Sequence, residues 1–116
     1  RAWDKVFKEM VQVNALVLDE QVVKVTYKNG NVAKEDMKEY ELMQSTGLKD
    51  KNGKEIFEGD IVLVLDSPYT VFYDNERGSY RLKPHDDRWN VDYMSNFSHG
   101  GNFEVVGNIY ENKEYL

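Results

Sequence analysis

The most apolar run of the chain covers residues 61–65, where the sequence reads Ile-Val-Leu-Val-Leu. A run this short, with no polar position to leave facing water, is typical of a strand buried on both faces. Glu58, Gly59 and Asp60 precede it directly and form a turn signal. The pattern therefore predicts a central strand, with the rest of a sheet built outward from it.

Weaker strands are indicated by alternating apolar and polar positions on either side of this run. They are predicted at residues 11–18, 22–27, 69–73, 79–83 and 103–110, with a short edge strand at residues 1–4. In the first of them, one face is predicted to carry Val11, Val13, Ala15 and Val17. Leu16 and Leu18 interrupt that alternation, so the opposite face is expected to be partly covered.

Turn residues separate these strands. Asn29-Gly30 and Asn52-Gly53 each predict a two-residue hairpin turn, in which both residues adopt a positive φ. Residues 74–78 are expected to close another hairpin, and Gly107 is expected to mark a bulge or a close approach of two backbones. The chain is therefore predicted to be a series of antiparallel hairpins.

A short helix is the best interpretation of residues 32–40. Ala33, Met37 and Tyr40 fall on one side at spacings of four and three, among good helix formers. The pattern predicts one or two helical turns.

Residues 84–102 are consistent with a strand, a helix or a loop. Trp89, Val91 and Tyr93 suit one face of a strand, whereas Trp89, Tyr93 and Phe97 suit one face of a helix. Periodicity leaves these alternatives open.

The fold class follows from these elements. We expect a mainly β domain over residues 1–116, with a bent antiparallel sheet or a small partly open barrel of hairpins and one short helix; an α+β fold is the alternative. A chain of 116 residues buries enough surface to fold as one domain without a metal or disulfide.

The composition restricts the cellular compartment and the classes of partner that we expect. The chain has no cysteine, no apolar run near the roughly 20 residues of a membrane span and no signal-peptide pattern, so we expect a cytoplasmic protein without a membrane partner. The net charge of -6 disfavours the phosphate neutralisation that duplex binding requires.

Catalytic chemistry has few candidate residues. A cysteine nucleophile is excluded, and the serines lie in no G-x-S-x-G context. Glu55, Glu58 and Asp60 bring carboxylates close in sequence, but Glu-Gly-Asp before an apolar strand is ordinary turn chemistry. We therefore expect a protein that is not an enzyme and has no cofactor.

One set of side chains resembles metal ligands. His85, Asp86, Asp87 and His99 are suitable donors, although the separation of the two histidines matches no regular zinc spacing. A solvated loop with turn-capping side chains is the simpler interpretation. A metal-dependent hydrolase is a remote alternative.

Aromatic residues are numerous for a small domain, with two Trp, eight Tyr and five Phe. Core and cross-strand packing explains most of them, and use at an interface or in base stacking is the alternative. Basic residues interleave with aromatic ones in one region, and a single-stranded nucleic-acid site needs that combination. This candidate nucleic-acid patch consists of Arg77, Tyr80, Arg81, Lys83, Arg88 and Trp89.

The central stretch also carries a family resemblance. Leu42-Met43-Gln44, residues 46–56 and residues 58–62 resemble the signature of the YopX family of phage and prophage proteins. Residues 1–5 and 103–112 resemble the opening and closing motifs of that family, in the same order. Ser45, where an aromatic residue is common, and Lys113, where a proline is common, depart from the pattern.

The resemblance implies a gene carried by phages or mobile elements of bacteria, and it brings no catalytic residue with it. The leading hypothesis is a non-enzymatic accessory protein of phage or prophage origin that acts through protein contacts. Its partner would be itself, as a homo-oligomer, or a phage or host protein. Single-stranded nucleic-acid binding through the patch is the alternative.

Overall fold

The computed structural model describes residues 1–86, 88, 91–93 and 103–116. These residues group into two compact units, Arg1–Gln44 and Ser45–Leu116. The expectation of one domain over the whole chain stays a prediction. Each unit has its own sheet and its own core.

The first unit is a five-stranded antiparallel sheet with the order β4-β3-β2-β1-β5. Its core is small and contains the buried side chains Ala2, Val11, Val23, Val25 and Tyr40. The elements are β1 (Ala2–Asp4), β2 (Glu9–Val17), β3 (Val22–Thr26), β4 (Val32–Asp36), a one-turn 3-10 helix (Met37–Glu39) and β5 (Tyr40–Leu42).

The predicted edge strand at residues 1–4 is an interior strand, so that prediction was wrong. β1 pairs with β2 on one side and with β5 on the other. Ala2 and Asp4 are buried between them. Alternation alone does not distinguish an edge from an interior strand when the strand has only three residues.

The predicted helix at residues 32–40 is largely a strand. Val32–Asp36 forms β4, which pairs with β3 along its whole length, and only Met37–Glu39 is helical. Helix propensity is a weak local preference, and the pairing with β3 overrides it.

A bulge in β2 lies close to the broken alternation at Leu16. The register of β2 against β3 shifts between Val13 and Ala15, so Val13 lies opposite Val25 whereas Leu16 lies opposite Val23. A bulge sets two residues of one strand opposite one residue of its partner. The cross-strand register of the predicted face therefore shifts at Asn14, although its burial still alternates: Ala15 and Val17 are half-buried and Leu16 is 47% exposed.

The second unit contains a two-stranded sheet, β6-β7, and a five-stranded antiparallel sheet with the order β11-β10-β9-β8-β12. Its core consists of Ile56, Val62, Val64, Tyr69, Val71, Leu82 and Phe103. The elements are β6 (Ser45–Lys49), β7 (Glu55–Phe57), β8 (Asp60–Val64), β9 (Ser67–Asp74), β10 (Ser79–Pro84), β11 (Asp92–Tyr93), β12 (Phe103–Asn108) and a 3-10 helix (Lys113–Tyr115).

The predicted central strand is β8, which lies between β9 and β12. Ile61, Val62 and Val64 are buried, as the apolar run predicts. Leu65 differs, because it has left the strand and its side chain is 88% exposed. Leu65 and Asp66 form the two-residue turn into β9, with φ of 50° and 67°.

Both Asn-Gly turns occur at the predicted places, but with a different geometry. Only the glycines have a positive φ, 89° at Gly30 and 81° at Gly53. In each turn the glycine N–H donates to a carbonyl three residues earlier, that of Tyr27 (2.9 Å) or Asp50 (3.0 Å). These are three-residue loops with a glycine bulge rather than two-residue turns.

The fold class is confirmed as mainly β and antiparallel. Among the strands that the structure describes, neither five-stranded sheet closes into a barrel. None of the described helices is long and apolar enough to cross a membrane. Within residues 84–102, Asp92–Tyr93 is a strand paired with β10, and most of the others lie outside the described residues.

Candidate functional site

The candidate nucleic-acid patch lies mainly on the β9–β10 hairpin. Arg77 is in its turn, whereas Tyr80, Arg81 and Lys83 are on β10. Arg81 and Lys83 alternate with Leu82, which is buried in the core. The two cations therefore share the outer face of the strand, as predicted.

The arginines of the patch form ion pairs with carboxylates of the same chain. Arg77 Nη1 and Arg81 Nη1 both contact Asp74 Oδ2, at 3.1 and 3.0 Å. The Arg81 side chain is only 15% exposed, compared with 51% for Arg77. Burial alone raises the pKa of Asp74, but hydrogen bonds from Arg81 and Arg77 outweigh it and hold the pKa below its usual value.

Arg88 pairs with its own neighbour rather than with the hairpin. Its Nη2 lies 2.6 Å from Asp86 Oδ2, and its Nε also donates to that carboxylate. These hydrogen bonds lower the pKa of Asp86 to about 2. Trp89 lies outside the described residues.

Tyr80 is half-buried and packs against the core of the second unit. Its ring meets Tyr73 edge to face, with 5.1 Å between centroids. The structure therefore gives the patch one exposed lysine, Lys83, and arginines whose charge is balanced locally. Nucleic-acid binding through it stays a prediction.

The metal-like set is only partly described. Asp87 and His99 lie outside the described residues. His85 Nε2 lies 2.6 Å from Thr70 Oγ1, and Asp86 is held by Arg88. Among residues 1–86, 88, 91–93 and 103–116, no group of three or more metal-ligating side chains is present.

Two of the carboxylates near residue 58, those of Asp60 and Glu55, accept hydrogen bonds from neighbouring segments. Asp60 is fully buried, and its Oδ2 accepts a hydrogen bond from Phe57 N at 2.8 Å, which closes the turn before β8. Glu55 Oε2 accepts a hydrogen bond from Ser45 Oγ at 2.6 Å across the β6–β7 pair. Turn capping therefore describes Asp60 better than acid–base chemistry does.

Asp50 links the turn at residues 50–54 to the last strand, β12, through hydrogen bonds. Its Oδ1 accepts hydrogen bonds from Asn52 N (2.9 Å) and Lys54 N (2.8 Å) in the turn. Its Oδ2 accepts one from Val105 N (2.9 Å) on β12. Burial alone raises the pKa of Asp50, but the three backbone N–H groups outweigh it, so the pKa is lowered. Asp50 thus supports the fold.

A buried polar network in the first unit was missed by sequence reasoning. Tyr27 Oη donates to Asp4 Oδ2 at 2.7 Å and lies 2.6 Å from Tyr40 Oη. Because the single Tyr27 proton goes to Asp4, Tyr40 must donate to Tyr27. Burial is the largest cause that raises the pKa of both tyrosines.

The same carboxylate also closes the β1–β2 loop. Asp4 Oδ1 accepts hydrogen bonds from Val6 N and Phe7 N. The network therefore joins a loop to the core, and its phenols stay protonated at neutral pH. The signal available in the sequence was the aspartate at the start of a four-residue loop, as at Asp74.

A groove lies on the β2–β3–β4 part of the first sheet. Its volume is about 300 Å³. Lys24 and Lys34 lie directly opposite each other on β3 and β4, and Asn14 stands at the bulge, where its Nδ2 donates to Thr26 Oγ1 at 2.7 Å. The groove is lined by Asn14, Lys24, Val25, Val32, Ala33 and Lys34.

Comparison with known proteins gives a family and a similar solved structure. The family model described as YopX protein matches residues 1–116, and no curated protein matches. The crystal structure of protein EF1440 from Enterococcus faecalis is 32% identical with a TM-score of 0.64, and the match covers 100% of this chain and 95% of that chain. The chain belongs to the YopX family.

Proposed function

We propose that this protein is an accessory protein of phage or prophage origin that acts in the bacterial cytoplasm through protein contacts, without catalysis. Membership of the YopX family supports the proposal of a mobile genetic origin. The partner is a second copy of the chain or a phage or host protein.

The observation that carries this proposal is the exposure of large apolar side chains at loops and edges. Phe7 in the β1–β2 loop is 73% exposed, and Val32 at the start of β4 is 74% exposed. Leu65, at 88%, occupies a turn where its positive φ is unfavourable for a branched side chain. Phe7 packs edge to face on Tyr27, and the large apolar area that these side chains leave in water is area that a protein partner would bury.

The polar clusters support the same function, because they are engaged within the chain. Asp4, Asp50 and Asp60 accept hydrogen bonds from backbone N–H groups. Asp74 and Asp86 hold arginines. Side chains committed in this way stabilise turns, which is a structural role.

Light scattering of the purified protein tests the proposal. The mass is measured for the protein alone and with a short single-stranded oligonucleotide, at low and at moderate salt. A mass that exceeds the monomer and ignores the oligonucleotide supports protein contacts. A monomer whose mass rises with the oligonucleotide at low salt contradicts the proposal and favours the alternative, because such binding depends on salt.

A charge reversal then locates any oligonucleotide binding. Lys83→Glu changes the exposed cation on β10 without breaking the Arg81–Asp74 pair, so the hairpin should stay folded. Lys49→Glu is the matched control, because Lys49 is also an exposed strand residue of the second unit. Metal analysis of the same sample tests the hydrolase alternative, for which a stoichiometric metal is required.

A further inference from the structure

Strand β4 forms one edge of the first sheet. Within the described part of the chain, it pairs with β3 and with no strand on its other side. The ladder closes where Tyr27 N donates to Asn31 O at 2.8 Å. Since inward and outward peptide groups alternate from that pair, the N–H and C=O groups of Val32, Lys34 and Asp36 point away from β3. They form a template for one more strand.

The groove beside this edge is cationic, because its lining, among the residues that the structure describes, includes Lys24 and Lys34 and no acidic residue; Asp36 lies further along the same face of β4. Lys24 and Lys34 lie directly opposite each other, which is unfavourable for two like charges. Glu20 Oε2 lies 2.9 Å from Lys34 Nζ and interacts more weakly with Lys24, so one carboxylate offsets two ammonium charges. A second carboxylate in the groove would relieve the repulsion, and therefore the surface favours an acidic ligand.

The same face also has an apolar position two residues along the strand. Val32 is on the face of Lys34, because side chains of a strand alternate between faces. An added strand therefore meets Lys34 with one side chain and Val32 with the side chain two positions away. The matching pattern is an acidic residue and an apolar residue separated by one residue.

We propose that β4 and the adjoining groove bind an extended acidic segment of a partner protein, which joins the sheet as an additional strand. The backbone of the segment pairs with β4, and its acidic side chain lies beside Lys34, on the side away from Lys24. This inference rests on the proposed function and names the surface and the class of partner. Main-chain bonds supply affinity in such complexes, and side chains supply specificity.

A second copy of the chain fits this edge less well. The antiparallel register that pairs all five residues of β4 with their equivalents places Lys34 against Lys34. Like charges at the centre of the pair oppose that arrangement. Charge on an edge strand deters such self-pairing and leaves an oppositely charged strand acceptable.

Peptide pools provide the probe. One pool of end-blocked ten-residue peptides has Glu or Asp and Val or Ile two positions apart on the same face, with Thr at the intervening positions, and a second pool replaces every acid by Lys. Each pool is added to isotope-labelled protein, and backbone amide exchange is followed by nuclear magnetic resonance. We expect the acidic pool alone to bind and to slow exchange of the Val32, Lys34 and Asp36 amides by about tenfold or more.

Variants test the two contributions separately. Lys24→Glu with Lys34→Glu should weaken binding of the acidic pool by about tenfold or more. Val32→Pro should weaken it as well, because proline removes an N–H that points outward and leaves the β3–β4 bonds in place. Lys49→Glu, in the other unit, should bind the acidic pool like the parent.

Each other outcome overturns the inference. Failure of the acidic pool to bind, or protection that appears away from β4, shows that this edge is not the site. A doubled mass with protected β4 amides in the absence of peptide shows a self-interface instead. If neither peptide pool binds but the protein forms a stable oligomer, only this inference is contradicted. If neither pool binds and the protein binds the oligonucleotide, the proposed function is contradicted as well.

Discussion

Replacing Asp50 by Asn should loosen the second unit by removing one charge while keeping the shape of the side chain. The carboxylate now accepts three backbone N–H groups, from Asn52, Lys54 and Val105. An amide has one oxygen, so in either orientation its NH₂ group faces at least one of these donors. The turn and β12 can no longer both be satisfied.

The magnitude follows from the environment of each N–H group. A hydrogen bond to a charged group contributes about 1.5 to 3 kcal/mol, and an unsatisfied buried donor costs about 1 to 3 kcal/mol. Water reaches the turn amides, whereas Val105 N is in the paired strand β12. We therefore expect a loss of roughly 2 to 4 kcal/mol, a large share of the about 5 to 15 kcal/mol typical of a domain.

Urea denaturation followed by circular dichroism measures the loss, with Asp19→Asn as the control at an exposed loop carboxylate. The pKa of Asp50 is below its usual 3.8, so its carboxylate stabilises the fold above that pH and loses this effect as pH falls through the lowered pKa. The difference between parent and variant should therefore shrink toward pH 2. An unchanged midpoint at pH 7, or a pH-independent difference, would refute this reasoning.

Three further changes test the strand, turn and bulge assignments. Val64→Asp places an unpaired charge in the core of the second unit, and a thermal melt matching the parent would contradict the interior position of β8. Leu65→Asn combined with Asp66→Gly should raise stability by about 1 to 2 kcal/mol in urea, since both residues have a positive φ; no gain would show that the turn is unstrained. Gly107→Ala would bring a Cβ into steric overlap with the Asn112 side chain, so we expect a loss of about 1 to 3 kcal/mol that adding Asn112→Gly partly restores, and a tolerated alanine would exclude this close approach.

Sequence patterns correctly predicted the strands in which the order of apolar and polar residues determines which side chains are buried. The all-apolar run at residues 61–65 identified β8, and the alternation of Val23 and Val25 identified a half-buried strand. The close approach expected at Gly107 is also present, with a register shift beside it. In each case the local pattern and the tertiary environment agree.

The errors arose where contacts with another segment of the chain decided the outcome. Residues 32–36 have helical spacing, yet they complete a ladder with β3. The bulge at Asn14 changes which residues pair with β3, and the interrupted alternation at Leu16 was a signal that sequence reasoning left unused. Asp50 resembled any turn residue, because its bond to Val105 joins positions far apart in the chain. Candidate sites were harder still to predict, since the partners of Arg77 and Arg81 depend on this three-dimensional context.

The position of β12 has a consequence for synthesis of the protein on the ribosome. The sheet of the first unit uses only the first 44 residues, so it is complete while the rest of the chain is still being made. In the second unit, β8 must wait for β12, because Val62 pairs with Val105. Closing so long a loop is entropically costly and slow, and an apolar strand with an open edge invites association of nascent chains. The last strand thus sets the interval during which one edge of β8 stays unpaired in the newborn chain.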